Sequence, residues 1–118
     1  MSIFILSAAK SCCEPKWQPA ADIYKTRGGL LIKFDLAGIR REDISVRIQN
    51  SFLTVSGVRR DWTLEEGLSY YSMEISYSRF ERTIKMPFDL GHAQITTDYR
   101  DGMLVIKIEP TGDTGETR

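Results

Sequence analysis

The sequence predicts an all-β protein, an antiparallel β-sandwich of seven to nine short strands. Apolar and polar residues alternate with period two along most of the chain, which is the pattern of half-buried strands. Turn residues separate these runs at short intervals, and Asp101-Gly102 is typical of a two-residue hairpin turn. No segment carries a convincing helical pattern, so the strands must pack mainly against one another.

The first half of the chain holds a short edge strand and three alternating runs. The turn Arg27-Gly28-Gly29 ends the edge strand, since glycine reaches positive φ at little cost. Asn50-Ser51 turns the chain between two later strands, and we expect Gly57 to end the second of them. The strands predicted here are 22–25, 30–36, 44–48 and 52–56.

The second half begins with a charged, irregular stretch at 58–67 and ends in a hairpin. Four strands are predicted after that stretch, at 68–75, 77–86, 95–99 and 103–108. We divide the chain into an N-terminal arm (1–16), one sandwich domain (17–110) and a polar C-terminal tail (111–118).

Length and composition allow one ordinary globular domain and exclude several functions. The chain has 118 residues, of which 42% are hydrophobic, and its 16 basic residues balance 16 acidic ones. A balanced charge argues against a dedicated nucleic-acid binder and against a polybasic membrane anchor. A near-neutral chain also repels itself little, so association with other proteins is not discouraged.

The cysteines and the apolar segments predict a cytoplasmic protein. Cys12 and Cys13 are adjacent and have no third cysteine to pair with, which indicates reduced thiols. The apolar start of the chain is short, has no basic n-region and ends at Lys10, unlike a signal peptide. No stretch approaches the roughly 18 apolar residues of a membrane-spanning helix.

No combination of residues indicates an enzyme, a cofactor site or a metal site. Catalysis would require a nucleophile with a base, paired acids or a metal cluster. The single histidine, His92, lies in a Gly-His-Ala loop, and no glycine-rich phosphate loop opens a helix. We therefore expect a non-catalytic protein without a cofactor or metal.

Arg82 departs from the apolar pattern of its strand. By parity it shares a face with Phe80, Ile84 and Met86. A guanidinium on such a face needs a charge or carbonyl partner, because an unpaired buried charge costs several kcal/mol or more. Two explanations remain open: an edge strand whose face is exposed at that point, or an interface where Arg82 meets a carboxylate from another segment or subunit.

Seven short motifs follow one another along the chain. They are WQPAADIY (17–24), FDLAGI (34–39), EDISV (42–46), LTVSG (53–57), FER (80–82), MP (86–87) and YRDGML (99–104). Any one of them is weak, but together in register over about 17–110 they are highly specific. In this order and spacing they resemble the small heat shock proteins and their alpha-crystallin domain.

The resemblance implies an immunoglobulin-like β-sandwich and an ATP-independent holdase chaperone. Such proteins bind partly unfolded clients and keep them from aggregating, with no covalent chemistry. The physical basis is capture of exposed apolar surface, which is favourable by roughly 25 cal/mol per Å² buried.

The resemblance also implies a two-fold homodimer formed by strand exchange. Arg82 matches the arginine at the family's dimer interface, and the long span after Gly57 resembles the bacterial and plant type. In that type a strand from this span pairs with the edge of the partner's sandwich, which also covers an exposed edge. Glu74 is one possible partner for Arg82. By position the exchanged strand is 68–74, with interface residues Leu68, Tyr70, Tyr71, Met73 and Glu74.

A groove between two edge strands is a further implication of the resemblance. It accepts an Ile-X-Ile or Ile-X-Val motif from a neighbouring C-terminal tail, with both side chains on one face. Residues 111–118 contain no isoleucine or valine, and Thr97 stands where the family usually has alanine, which would narrow the groove. We therefore expect a dimer or small oligomer. By position the groove is lined by Ile44, Val46, Ile48, Ile95, Thr97 and Tyr99.

The arm is the last feature with a predicted role. Its apolar residues suit client contact or self-association, although a disordered end with incidental apolar residues is the alternative. The Ile3-Phe4-Ile5 spacing also allows the arm to occupy the groove itself. The arm residues assigned to client binding are Ile3, Phe4, Ile5, Leu6 and Trp17.

Two other functions compete with the holdase. One is a non-catalytic interaction module that docks to a dedicated partner, as co-chaperone domains of similar fold do. The other is a subunit that works by forming hetero-oligomers with a longer-tailed relative, whose tail would fill the groove. The span 58–77, Arg82 and the Trp17-Gln-Pro19 segment favour the holdase over the interaction module.

Overall fold

The computed structural model describes residues 17–110, over which it has seven strands and two short 3₁₀ turns. The predicted all-β sandwich is confirmed, with the lower of the expected strand counts. The 3₁₀ turns lie at Arg41–Asp43 (the 41–43 turn) and Leu90–His92 (the 90–92 turn). The strands are β1 Ala21–Lys25, β2 Leu30–Asp35, β3 Ile44–Gln49, β4 Phe52–Val58, β5 Arg79–Lys85, β6 Ala93–Arg100 and β7 Met103–Pro110.

All strand pairs are antiparallel, and they form two sheets. The four-stranded sheet has the order β1-β2-β7-β6, and the three-stranded sheet has the order β3-β4-β5. Asp101 and Gly102 join β6 to β7 with φ values of 55° and 80°, which confirms the predicted tight hairpin. This order leaves β1 and β6 at the edges of one sheet, and β3 and β5 at the edges of the other.

The core lies between the sheets and follows the period-two pattern. In β2 the buried positions are Leu30, Ile32 and Phe34, while the residues between them are more exposed. Alternation buries one face of each strand, so the two sheets meet through these faces. The other buried apolar residues are Leu36, Ile39, Leu53, Val55, Phe80, Met86, Leu90, Leu104, Ile106 and Ile108.

Gly57 does not end β4, contrary to the prediction. The strand continues to Val58, and Gly57 pairs with Phe80 of β5. A Cβ atom on Gly57 would lie 2.0 Å from the carbonyl oxygen of Asp43 and 2.7 Å from Cζ of Phe80. The glycine is required because neighbouring chain packs directly against it, which is a common role of glycine inside strands.

The strand predicted at 68–75 is absent from this fold. Residues 59–78 (the long segment) contain no strand, and β5 begins only at Arg79. A strand is defined by pairing, and within the described chain this stretch has no neighbouring strand with which to pair.

Candidate functional site

Arg82 lies on the inner face of β5, as parity predicted, and within the chain its partner is a carbonyl oxygen. It is opposite the buried Val55 in the β4–β5 register and is itself half-buried. Its Nη1 donates a hydrogen bond of 2.8 Å to the carbonyl oxygen of Pro19. The ion pairs found among residues 17–110 do not include it. A carbonyl serves as the partner here because residues 17–19 pass beside β5, and a carboxylate partner from another subunit stays a prediction.

Trp17 fastens that entering segment to the edge of β5. Its backbone N–H donates to the carbonyl of Arg79 at 3.3 Å, and its carbonyl accepts from the N–H of Glu81 at 3.4 Å. Its indole Nε1–H donates to the carbonyl of Ser78 at 3.2 Å, and its ring centre lies 5.3 Å from that of Phe80. The segment thus covers part of an edge that would otherwise be open.

Arg59 covers the Trp17 ring, and sequence reasoning missed it. The guanidinium carbon lies 4.2 Å from the ring centre, and Nη1 donates to the carbonyl of Ser76 at 3.3 Å. Its Nε is buried without a hydrogen-bond partner, so the ring contact must offset a desolvation cost. In the sequence, Arg59 belongs only to a short basic pair at 59–60 with acidic residues nearby, which is too weak a signal to indicate a site.

These contacts place Trp17 at the start of the folded domain, and its predicted role in client binding stays a prediction. The ring is half-buried between Arg59 and Phe80, so Trp17 belongs to the folded domain. The remaining arm residues with that prediction, Ile3, Phe4, Ile5 and Leu6, lie outside the described residues, as do Cys12 and Cys13.

The long segment carries most of the exposed apolar side chains. Eight of the twelve large exposed hydrophobic residues within the described chain fall between 62 and 77. Tyr71 is fully exposed, and Tyr70 is 79% exposed. Every residue that the sequence assigned to an exchanged strand is exposed, namely Leu68, Tyr70, Tyr71, Met73 and Glu74.

The side chains of the edge strand β1 are mostly exposed. Every residue of β1 after Ala21 is exposed, including Ile23, which is 50% exposed. Ile23 lies opposite the fully buried Ile32, so it is on the core-facing side of the sheet. This apolar side chain is only partly covered, because within the described chain β1 pairs with β2 alone and its other edge has no neighbouring strand.

The predicted groove (the edge groove) would lie between β3 and β6, which are edge strands of the two sheets. Arg41, just before β3, donates from Nη2 to the carbonyl of Tyr99 in β6 at 2.9 Å. At the other end, the N–H of Leu90, just before β6, donates to the carbonyl of Asn50, just after β3, at 2.9 Å. These two contacts place β3 and β6 alongside each other in opposite directions.

The six predicted groove residues differ in their burial. Four of them are half-buried against the core, and these are Ile44, Val46, Ile95 and Tyr99. Ile48 is 42% exposed, and Thr97 is also exposed. The walls are therefore aliphatic, with an exposed threonine between Ile95 and Tyr99 on β6.

Tyr99 fixes one end of the groove to the loop that follows β2. Its hydroxyl lies 2.7 Å from the carbonyl of Leu36 and 2.6 Å from that of Ile39, so one phenolic proton serves both oxygens. Together with the Arg41 contact, this joins the loop, the 41–43 turn and β6. Sequence reasoning placed Tyr99 in the groove but did not identify Arg41.

Within residues 17–110, no group of three or more histidine, cysteine, aspartate or glutamate side chains is arranged to hold a metal ion. None of the helical segments there has the length and apolar character needed to span a bilayer.

A family model described as Hsp20/alpha crystallin family matches residues 22–117 of the chain. Small heat shock protein C2 of Rickettsia felis is 32% identical over 108 residues, which cover 92% of this chain and 70% of that protein. Spore protein SP21 of Stigmatella aurantiaca is 28% identical over 94 residues, covering 80% of this chain and 56% of that protein. The chain is thus shorter than both relatives.

Solved structures agree with these relatives. The hspA structure from Xanthomonas axonopodis is 27% identical, with a TM-score of 0.67, and covers 81% of this chain and 96% of that one. A small heat-shock protein structure from Xylella fastidiosa, described as having a distinct high order structure, is 26% identical with a TM-score of 0.68. That match covers 81% of this chain and 88% of the other.

Proposed function

Because the chain belongs to the Hsp20/alpha crystallin family of small heat shock chaperones, we propose that it is an ATP-independent holdase in the cytoplasm. In this role it binds partly unfolded proteins under stress and keeps them from aggregating. The observation that carries the proposal is the concentration of exposed apolar side chains on the long segment.

Apolar exposure of this kind suits the capture of unfolded chains. An unfolded client exposes apolar surface, and burial of that surface against another protein is favourable by roughly 25 cal/mol per Å². Contiguous exposed apolar patches on a folded protein typically mark sites of interaction. Capture of this kind needs neither ATP nor covalent chemistry.

We propose that the working unit is a homodimer formed by reciprocal strand exchange. In it, residues 68–74 of one chain pair with β1 of the other, which lies at a sheet edge and exposes Ile23. Pairing would satisfy the edge of β1 and bury the apolar side chains of 68–74. Trp62, Leu64 and Ile75 are also exposed on the long segment but lie outside the exchanged strand, so they would stay available for clients. The interface residues in this proposal are Arg82, Leu68, Tyr70, Tyr71, Met73 and Glu74.

The open edge of β6 favours a second role for the same protein. In this role the edge groove accepts an Ile-X-Ile or Ile-X-Val segment from a related chaperone, giving small oligomers or hetero-oligomers. The half-buried aliphatic walls of Ile44, Val46 and Ile95 support it. The arm segment Ile3-Phe4-Ile5 is a competing occupant, and it remains a prediction.

The holdase proposal is tested by light scattering of a purified enzyme that aggregates on heating. The client is heated without ATP at increasing ratios of this protein, and the mass of the chaperone is measured in parallel. We expect scattering to fall as the ratio rises, and an unrelated β-sandwich protein at equal mass concentration to have no effect. Unchanged scattering at every ratio would exclude holdase activity, and a folded monomer would exclude the exchanged dimer.

A further inference from the structure

We propose that Arg41 closes one end of the edge groove and thereby limits the register and length of the segment that pairs with β6. This inference rests on the proposed role of the groove as a receptor for an extended Ile-X-Ile segment. It assigns to Arg41 a positioning role that depends on one contact, the hydrogen bond from Nη2 to the Tyr99 carbonyl.

The register of the β6–β7 hairpin determines which backbone N–H and C=O groups of β6 point toward the unpaired edge of the sheet. Arg100 and Met103 flank the two-residue turn, so they form the hydrogen-bonded closing pair. The next pair, Tyr99 and Leu104, is then a non-hydrogen-bonded pair, and the N–H and C=O of Tyr99 point away from β7. The same alternation leaves Thr97, Ile95 and Ala93 with their backbone groups directed toward the open edge.

Arg41 occupies this edge at Tyr99. An added strand would lie about 4.8 Å from β6, in the space beside the outward carbonyls. The Arg41 guanidinium already stands there, with its Nη2 2.9 Å from the carbonyl oxygen of Tyr99. A strand that continued past Thr97 would have to displace it, so strand addition stops before Tyr99.

The 90–92 turn limits the other end of the groove. It leads directly into β6 and is bound to the turn after β3 through the N–H of Leu90 and the carbonyl of Asn50. The edge that stays open therefore runs over residues 93–97, which is about 16 Å at 3.3 Å per residue. This length fits a peptide of about five residues, in which two aliphatic side chains at i and i+2 share the face toward Ile44 and Val46.

The inference predicts that Arg41 discriminates against longer segments, and synthetic peptides can measure this. The short probe is a five-residue peptide with isoleucine at its second and fourth positions. Two long probes carry two additional threonines, at the N-terminus in one and at the C-terminus in the other. One of the two long probes must run toward Tyr99, whichever direction the peptide takes. Binding is measured by calorimetry for the native chain and for Arg41→Ala.

The readout is the ratio of long-probe to short-probe affinity. We expect Arg41→Ala to raise this ratio about 2- to 10-fold for one long probe only, the gain of roughly one edge hydrogen bond. Arg40→Ala is the matched control, since Arg40 is an adjacent exposed arginine, and it should leave both ratios unchanged.

A ratio that stays constant in Arg41→Ala, or that rises equally for both long probes, would overturn the register role while the groove proposal stands. Failure of the short probe to bind the native chain would overturn both.

Discussion

Arg82 and Pro19 lie 63 residues apart in sequence and are joined by a hydrogen bond of 2.8 Å from the guanidinium to the carbonyl oxygen. The bond connects the inner face of β5 to the segment that enters the domain. Pro19 is itself fully buried, so its carbonyl lies in a region with little access to solvent. An arginine on an apolar face is thus explained within a single chain, and any role at a dimer interface would be additional.

Replacing Arg82 with alanine should lower the free energy of unfolding. The Pro19 carbonyl loses its donor, and an unsatisfied buried acceptor costs about 1–3 kcal/mol. Urea unfolding measures this loss, and Arg79→Ala is the control because Arg79 is on the exposed side of the same strand. Sedimentation at matched concentrations then tests the interface: equal dimer affinity in a folded Arg82→Ala protein would restrict Arg82 to its role within the chain.

Trp17 should contribute to stability far more than the other tryptophan. Trp17→Ala removes the ring between Arg59 and Phe80 and should cost about 2–3 kcal/mol, less than for a fully buried tryptophan. Trp62 is 75% exposed, so Trp62→Ala should change stability by about 0.5 kcal/mol or less. Chemical unfolding of both variants checks this difference, and equal losses would contradict the packing described for Trp17.

Gly57 should not tolerate a side chain. Gly57→Ala would bring Cβ to 2.0 Å from the Asp43 carbonyl oxygen. The backbone would have to move, and overpacking of this kind typically costs about 1–3 kcal/mol or more. A Cβ atom on Gly28 would meet no other atom within 4 Å, so Gly28→Ala is the matched control and should be nearly neutral. Thermal unfolding of the pair measures the difference, and a stable Gly57→Ala would show that β4 and the 41–43 turn can separate there.

The long segment should affect dimerisation and leave the fold of the sandwich intact. Met73 is 54% exposed and lies outside the core of the sandwich, so Met73→Asp should cost the fold little. In an exchanged dimer it would place a charge in an apolar interface, and we expect the dimer affinity to fall at least about tenfold. Ser69→Asp, at an exposed polar position of the same segment, is the control. Sedimentation and circular dichroism separate association from folding, and an unchanged dimer would count against exchange through 68–74.

Thr97 should weaken the binding of aliphatic peptides in the edge groove. Thr97→Ala removes a hydroxyl and a methyl group from between Ile95 and Tyr99, and we expect a several-fold gain in affinity for an Ile-X-Ile peptide. Thr96→Ala, on the opposite face of β6, should have no effect. Calorimetry measures both, and weaker binding by Thr97→Ala would indicate that the hydroxyl helps to hold the peptide.

The fold could be predicted because alternation is a local property. The runs around Ile32, Val55 and Ile106 each show which face is buried, and Asp101-Gly102 specifies its hairpin from two residues. The prediction that Gly57 ends β4 was wrong because the need for glycine there is not local. It comes from close contact with Asp43 and Phe80, which are distant in sequence, and no local pattern distinguishes such a glycine from one in a turn.

The site was predicted less completely, because its contacts join distant segments. Parity placed Arg82 on the inner face, but only the fold could bring Pro19 beside it. The sequence did not identify Arg41 or Arg59, because arginine is a common surface residue and their partners lie far along the chain. Arg41 contacts the carbonyl of Tyr99, and Arg59 contacts the ring of Trp17. The 68–75 stretch has the alternation of a strand, yet alternation does not supply the neighbour that a strand requires.

The 41–43 turn touches both proposed assembly surfaces. Arg41 holds the Tyr99 carbonyl at the edge groove, while Asp43 accepts a hydrogen bond of 3.1 Å from Nε of Arg60 at the start of the long segment. If dimer exchange draws Arg60 away, Asp43 loses this hydrogen bond in the turn that also carries Arg41. Dimer formation and peptide binding at the edge groove would then be coupled through a single turn.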